Sequence, residues 1–300
     1  MNDEQNHESI EILPVEAYEP PEVRRSQAQA LSEVANWLLE ADGLLITAGA
    51  GMGVDSGLPD FRGDQGLWKH YPALGRQSLG FADIANPRSF ESDPRLAWGF
   101  YGHRLALYRE TRPHGGFDLL RAWAKRMEKG AFVFTSNVDG HFQKAGFSPD
   151  RIVECHGSIH HLQCTGNCSG IWPADEFRPQ VDTEQCLLQN DAPICPDCGQ
   201  LARPNILMFG DAGWVAERSE QQRANYDQWL QQVENPLVIE IGAGTHIPTV
   251  RHESERRSRR GRLVRINPRE PGRSGPETIA FPHPALETLR NIDAALRHVQ

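Results

Sequence analysis

Apolar residues fall into short runs along the chain, and the runs have two spacings. In "QAQALSEVANWLLEAD" they recur every three to four positions, which predicts an amphipathic helix ending before Gly43. "GLLITAG" follows as an unbroken apolar run and predicts a strand buried on both faces. The two signatures then alternate. "DPRLAWGFYGHRLALYRE" predicts a helix with Asp93 as N-cap and Pro94 at its first position. "FDLLRAWAKRMEKG" predicts another, closed by Gly130. "AFVFTSN", "PLVIEIGAG" and "GRLVRIN" read as further strands, and "PTVRHESERRSRR" and "PALETLRNIDAALRHV" as further helices. Residues 64–92 carry scattered Gly, Pro and aromatic residues without a period, so irregular structure is expected there. Residues 1–25 read as a polar arm.

Alternating strands and helices predict an α/β fold, a doubly wound parallel (Rossmann-like) sheet. The stretch from Cys155 to Arg203 breaks the alternation and holds all six cysteines. The expected organisation is an arm at 1–25, a sheet domain from 26–155 and 204–300, and a small inserted module at 156–203.

Bulk properties narrow the function classes. The 300 residues are 39% hydrophobic and 24% charged, as in ordinary globular proteins. A net charge of −9 argues against a nucleic-acid coat protein, and the arginine-rich "RHESERRSRRGR" reads as a solvated helix face. No apolar run approaches the roughly 20 residues of a membrane span. The acidic start lacks the features of a signal peptide, so a cytoplasmic location is expected. In a reducing compartment the cysteines are expected as metal ligands or bystanders, not disulfides.

Three features carry chemistry. "GAGMGVDSGLPDFRG" follows the first strand, and missing side chains at Gly49 and Gly51 let the backbone approach a pyrophosphate. A tight strand-to-helix turn without a ligand is the alternative. "GAGT" at 242–245 repeats the arrangement after another strand, and Asn267 ends a third. Second, Cys164 and Cys168, then Cys195 and Cys198, form two pairs suited to a structural zinc, with Gly199 permitting the turn of the second knuckle. Cys155 and Cys186 are left over, and Cys155 reads as a small packing residue. Third, Asn137, Asp139 and His156 cluster near predicted strand ends.

In this order "PDFRG", "NVD", "HG", the cysteine pairs, "RPNILMFGD", "GAGT" and "RIN" resemble the sirtuin family of NAD-dependent protein deacylases, over about residues 41–267. The resemblance implies that Gly49, Ala50 and Gly51 line the pyrophosphate. It places Asp60, Phe61 and Arg62 over the nicotinamide end, and Ser136, Asn137 and Asp139 at the nicotinamide ribose. His156 is implied as the general base, with Asn137 beside it in catalysis. Gly244, Thr245 and Asn267 are implied on the phosphate and adenosine side, and Phe209 and Gly210 along the acyl-peptide groove. Acylated-lysine proteins would be the substrates. Free lysine, nicotinamide and O-acyl-ADP-ribose would be the products.

The chain departs from the family at Gly53 (usually Ser), Ser136 (usually Gln), "GAGTH" with His246, Asp211 (usually Glu) and "RPHGGF". These changes leave open ADP-ribosyltransfer or NAD hydrolysis on the same site, and a non-catalytic NAD- or zinc-binding module. Tyr101 and Arg104 share a helix face and resemble the Tyr-x-x-Arg of the desuccinylating branch. An arginine suits an acyl carboxylate. Two residues of an ordinary half-exposed helix are the alternative.

Overall fold

The run Gly43–Ala48 is a strand with every residue buried, and it lies within a six-stranded sheet in the computed structural model. Described residues are 26–59, 63–168, 170–259 and 261–299. The expected arm at 1–25 and the triplet Asp60, Phe61 and Arg62 lie outside them.

The first strands are β1 (Gly43–Ala48), β2 (Ala131–Thr135) and β3 (Ile152–Glu154). The cysteine-bearing stretch gives β4 (Gly157–Cys164), β5 (Ile171–Pro173), β6 (Val181–Asp182), β7 (Leu187–Leu188) and β8 (Ala202–Ile206). Last come β9 (Pro236–Ile241), β10 (Arg262–Ile266) and β11 (Thr278–Phe281). The main sheet has the order β3-β2-β1-β9-β10-β11, with every pair parallel. Its order reverses between β1 and β9. In such a sheet that switch point opens a crevice at the carboxyl ends of the strands.

Helices cover both faces. Gln27–Glu40, Gly116–Ala124 and Ala285–Val299 send Leu38, Trp123 and Leu289 onto Ile46, Val133 and Ile239. On the other face Glu217–Leu230 and Thr249–Ser258 send Tyr226, Trp229 and Val250 onto Leu45, Phe132 and Val238. Near the carboxyl edge of that face, Thr47, Glu240 and Arg265 stand in register across β1, β9 and β10.

A second core binds the antiparallel sheet β5-β4-β8 to helices from earlier in the chain. The Pro94–Glu110 helix is central to it. Trp98 Nε1 donates to the Ala202 carbonyl (2.9 Å), and Arg109 donates to those of Ala174 (2.7 Å) and Phe177 (2.6 Å). Gly99 lies against the Cys186 carbonyl so closely that no Cβ would fit.

Residues 64–92, expected to be irregular, form short helices at Gly63–His70, Pro72–Arg76, Phe81–Ile84 and Arg88–Ser92. Each buries only one or two of its described residues, such as Leu67, Leu74, Ile84 and Phe90, too few to display a period. The helix expected to close at Gly130 stops at Ala124, and Gly130 instead takes φ +64° in the approach to β2.

Candidate active site

The glycine loop is interlocked with the loop after β9. Gly49 N–H donates to the Ile241 carbonyl (3.0 Å), and Gly51 N–H to that of Gly242 (3.1 Å). A Cβ on Gly51 would lie 2.6 Å from the Gly242 Cα, and one on Gly49 2.8 Å from the Ala243 Cα. Gly242 itself has φ +62°. The absent side chains therefore let two backbones meet across the switch point, a reason for glycine additional to ligand approach. Gly53 faces Leu58, whose Cδ1 would be 3.0 Å from a Cβ.

His114, in the "RPHGGF" departure, braces this loop. The Gly116 N–H donates to its Nδ1 (3.0 Å), which assigns the hydrogen to Nε2, and Nε2 donates to the Met52 carbonyl (3.0 Å). Its backbone N–H donates to Ser56 Oγ (3.0 Å).

β1, β2 and β3 end side by side, with Ala48 opposite Thr135 and Thr135 opposite Glu154. That register brings the glycine loop, Ser136–Asp139 and His156 to one edge of the sheet. Ser136 is held there by its N–H to the Ala48 carbonyl (3.2 Å). Asn137 Nδ2 donates to the Gly49 carbonyl (3.0 Å), and its N–H donates to Thr135 Oγ1 (3.0 Å). Asp139 is buried and its Oδ1 accepts the His141 N–H (2.9 Å); burial raises its carboxyl pKa above the ordinary value. His160 Nε2 bonds to the Asp139 carbonyl (2.8 Å) and its ring covers Gly140, which has φ +70°. His156 is half-buried, and desolvation lowers its pKa, so its imidazole is neutral at neutral pH. The neighbouring Cys155 thiol is pushed up to about 12 by burial and stays protonated, consistent with packing.

Across the switch point, Asn267 Nδ2 donates to the Ala243 carbonyl (2.8 Å), and its Oδ1 accepts the N–H groups of Arg269 and Glu270 (both 3.0 Å). Thr245 donates its N–H (3.3 Å) and its hydroxyl to the Glu270 carboxylate. Gly244 is half-buried beside that carboxylate, and His246 is exposed.

Phe209 is partly exposed, meets the Phe81 ring edge-on at 5.9 Å, and donates its N–H to the Ala85 carbonyl (2.9 Å). Gly210 follows with φ +65°. This turn is organised by a buried fork: Arg203 Nη1 and Nη2 donate to Asp211 Oδ2 (2.9 Å) and Oδ1 (2.8 Å), and Oδ2 also accepts the Met208 N–H (3.2 Å). Tyr101 is buried, stacked on Phe90 at 5.6 Å. The Arg104 guanidinium lies 5.1 to 5.7 Å from the rings of Phe100, Tyr101 and Tyr108, with Nε donating to the Tyr108 hydroxyl (3.0 Å). The sequence pattern did not reveal the bracing roles of His114 and His160, whose partners are backbone carbonyls, or of Arg203, whose partner Asp211 stands across a turn that only the fold creates.

The sulfurs of Cys164, Cys168, Cys195 and Cys198 all lie within 4.8 Å of one another, with neighbouring pairs at 3.5 and 3.6 Å. Four thiolates on a tetrahedral zinc at about 2.3 Å would stand about 3.8 Å apart, so the set fits that ion. Gly199 takes φ +72° in the second knuckle, as its spacing predicted. Among the described residues no helix is long and apolar enough to cross a membrane.

The sequence pattern of the Sir2 family matches residues 49–244. An NAD-dependent protein deacylase of Pyrococcus furiosus is 35% identical over 182 residues, covering 61% of this chain and 66% of that protein. The chain thus matches just under two thirds of that relative's length. An NAD-dependent protein deacetylase of Saccharolobus solfataricus is 30% identical over 239 residues, 79% of this chain and 85% of that one. The solved structure of a mutant Sir2 homologue with ADP-ribose superposes with a TM-score of 0.64 at 22% identity, covering 89% of this chain and 96% of its own. A Sir2 homologue–NAD complex gives 0.63 at 24% identity, with coverages of 89% and 93%.

Proposed function

The chain belongs to the Sir2 family, and from that premise we propose that it is an NAD-dependent protein-lysine deacylase. One observation carries the reading: the parallel register of β1, β2 and β3 delivers a glycine loop, Asn137, Asp139 and a neutral His156 to the same edge at the switch point. A binding module has no use for a base there.

The residues present suit a dinucleotide. Gly49, Ala50 and Gly51 would flank its pyrophosphate, Gly244, Thr245 and Asn267 its adenosine half, and Ser136, Asn137 and Asp139 its nicotinamide ribose. NAD, when bound, supplies an electrophilic ribose carbon and nicotinamide as leaving group. His156 acts as the general base, taking a proton from a hydroxyl at its imidazole nitrogen. Asn137 is fixed for its part by the Gly49 carbonyl. Residues 26–155 and 204–300 carry this site apart from His156, which stands at the junction with the module of 156–203; that module carries zinc on four thiolates, a structural cross-link. A cytoplasmic setting keeps those thiols reduced. Phe209 and Gly210 border the path of an acylated lysine side chain, and Arg104 gives the pocket a cation for acyl groups ending in a carboxylate.

The test is nicotinamide release by the zinc-loaded protein with and without acetyl- and succinyl-lysine peptides, O-acyl-ADP-ribose being followed by mass. Peptide-dependent release with that product, abolished in His156→Ala, is expected. Release without peptide and without acylated product would reject deacylation in favour of NAD hydrolysis or ADP-ribosyltransfer.

A further inference from the structure

The Thr249–Ser258 helix packs on the sheet through an unusual set of buried residues: Val250, Arg251, Glu253 and Ser254. Three of the four are polar. Beneath it runs the row Thr47, Glu240 and Arg265. Ser254 Oγ meets Thr47 Oγ1 at 2.8 Å. Arg265 is forked onto Glu240 (2.6 and 3.1 Å) and also donates to Glu255 (2.9 Å) and to the Gly272 carbonyl. Such contacts are directional, so they fix where the helix sits more narrowly than apolar packing does.

Arg251 is the member of this layer that bonds to the loops after β9 and β10. It is 8% exposed. Its Nε donates to the Ala243 carbonyl (3.2 Å) and its Nη2 to the Glu270 carbonyl. Those carbonyls belong to the two loops that carry Gly244, Thr245 and Asn267. Asn267 binds the same Ala243 oxygen, and the Glu270 carboxylate binds Thr245. One guanidinium thus clasps both loops from below, and its planar fork suits two carbonyls at once.

We infer that Arg251 is the positioning residue for the adenosine half of the dinucleotide site, setting the spacing of the 242–245 and 267–270 loops. This rests on the dinucleotide reading above. The residue touches no reacting atom. Its removal weakens binding of the adenosine diphosphate moiety and leaves the chemical step intact.

The experiment is calorimetric titration of the zinc-loaded full chain with ADP and with NAD, for wild type, Arg251→Met and Arg251→Lys, with kcat measured at saturating NAD. Arg251→Met is expected to weaken ADP about tenfold or more, as the loss of two charge-assisted hydrogen bonds implies, with kcat within about twofold of wild type. Arg251→Lys, which keeps the charge but not the fork, restores part of the ADP affinity. Unchanged ADP affinity in either variant overturns the inference. So does a fall in kcat at saturating NAD, which marks a general structural role. If Arg251→Met does not fold, the Lys variant decides alone: an intermediate ADP affinity supports the clasp and wild-type affinity overturns it. Failure of the wild-type protein to bind ADP or NAD overturns the dinucleotide reading, and the inference with it.

Discussion

Gly51 and Gly242 meet backbone to backbone across the switch point, with room for no more than hydrogen at either Cα. Neither neighbour is a flexible side-chain end, so a methyl group must push β1 and β9 loops apart. Gly51→Ala or Gly242→Ala is expected to weaken NAD by more than about tenfold and to destabilise the fold by about 2 kcal/mol or more. Gly57, at φ +88° with open space around it, is the control. Gly57→Ala carries backbone strain alone, about 1 kcal/mol. Thermal melts and NAD titrations distinguish them; wild-type NAD affinity in both interlocked variants would show that the loops separate freely.

The pH profile follows from His156. Burial holds its pKa below the ordinary value of 6.5. As the proposed base, His156 works neutral, so activity is expected to be lost as pH falls through its folded pKa. The acid limb of kcat/KM is expected below pH 6.5, and Arg251→Lys is expected to leave it in place. A limb above that value would contradict the burial seen here.

Zinc removal is expected to unfold the smaller lobe. Cys164 pairs with Ala202 across β4 and β8, and Ala202 accepts the Trp98 indole N–H. Chelation, or Cys198→Ser, should lower the melting temperature by at least about 10 °C and redden Trp fluorescence. An unchanged melt in protein shown to be metal-free would refute a structural ion.

Arg104→Met separates the acyl classes. Loss of the cation should cut turnover of succinyl-lysine peptide about 100-fold and of acetyl-lysine peptide by no more than about threefold. Equal losses would mean that Arg104 serves the aromatic cluster of Phe100, Tyr101 and Tyr108 and not the acyl group.

The Arg203–Asp211 fork is nearly inaccessible to water on both sides. Asp211→Ala strands a buried guanidinium, at about 3–5 kcal/mol, and raises the peptide KM through the Phe209 turn. Replacing Arg203 by Met as well should recover much of the stability but not the KM. Denaturant melts and peptide kinetics report the two effects separately.

The main architecture was legible because β1, β2, β9 and β10 are short apolar runs ending in glycine or asparagine turns. Other elements were not. The Glu217–Leu230 helix buries Ser219, Gln222, Tyr226 and Trp229, a helical spacing in which two of four anchors are polar. β3 spans three residues and β11 four, below the length at which a pattern declares itself. The candidate site was legible in its residue types, since glycine, Asn137, Asp139, His156 and the cysteine pairs each limit the chemistry available. Its bracing was not: His114 on Met52, Arg203 on Asp211 and Arg251 on two carbonyls are contacts that only the fold creates.

The Pro94–Glu110 helix has a different consequence while the protein is being made. Its later partners, from Ala174 to Ala202, leave the ribosome long after it does. β1 likewise waits for β9. A nascent chain that stops short of β8 therefore leaves Trp98 without its Ala202 partner, and one short of β9 has no crevice at all. Maturation must come late and nearly all at once, and stalled or truncated chains should be sticky clients of the quality-control machinery rather than partial enzymes.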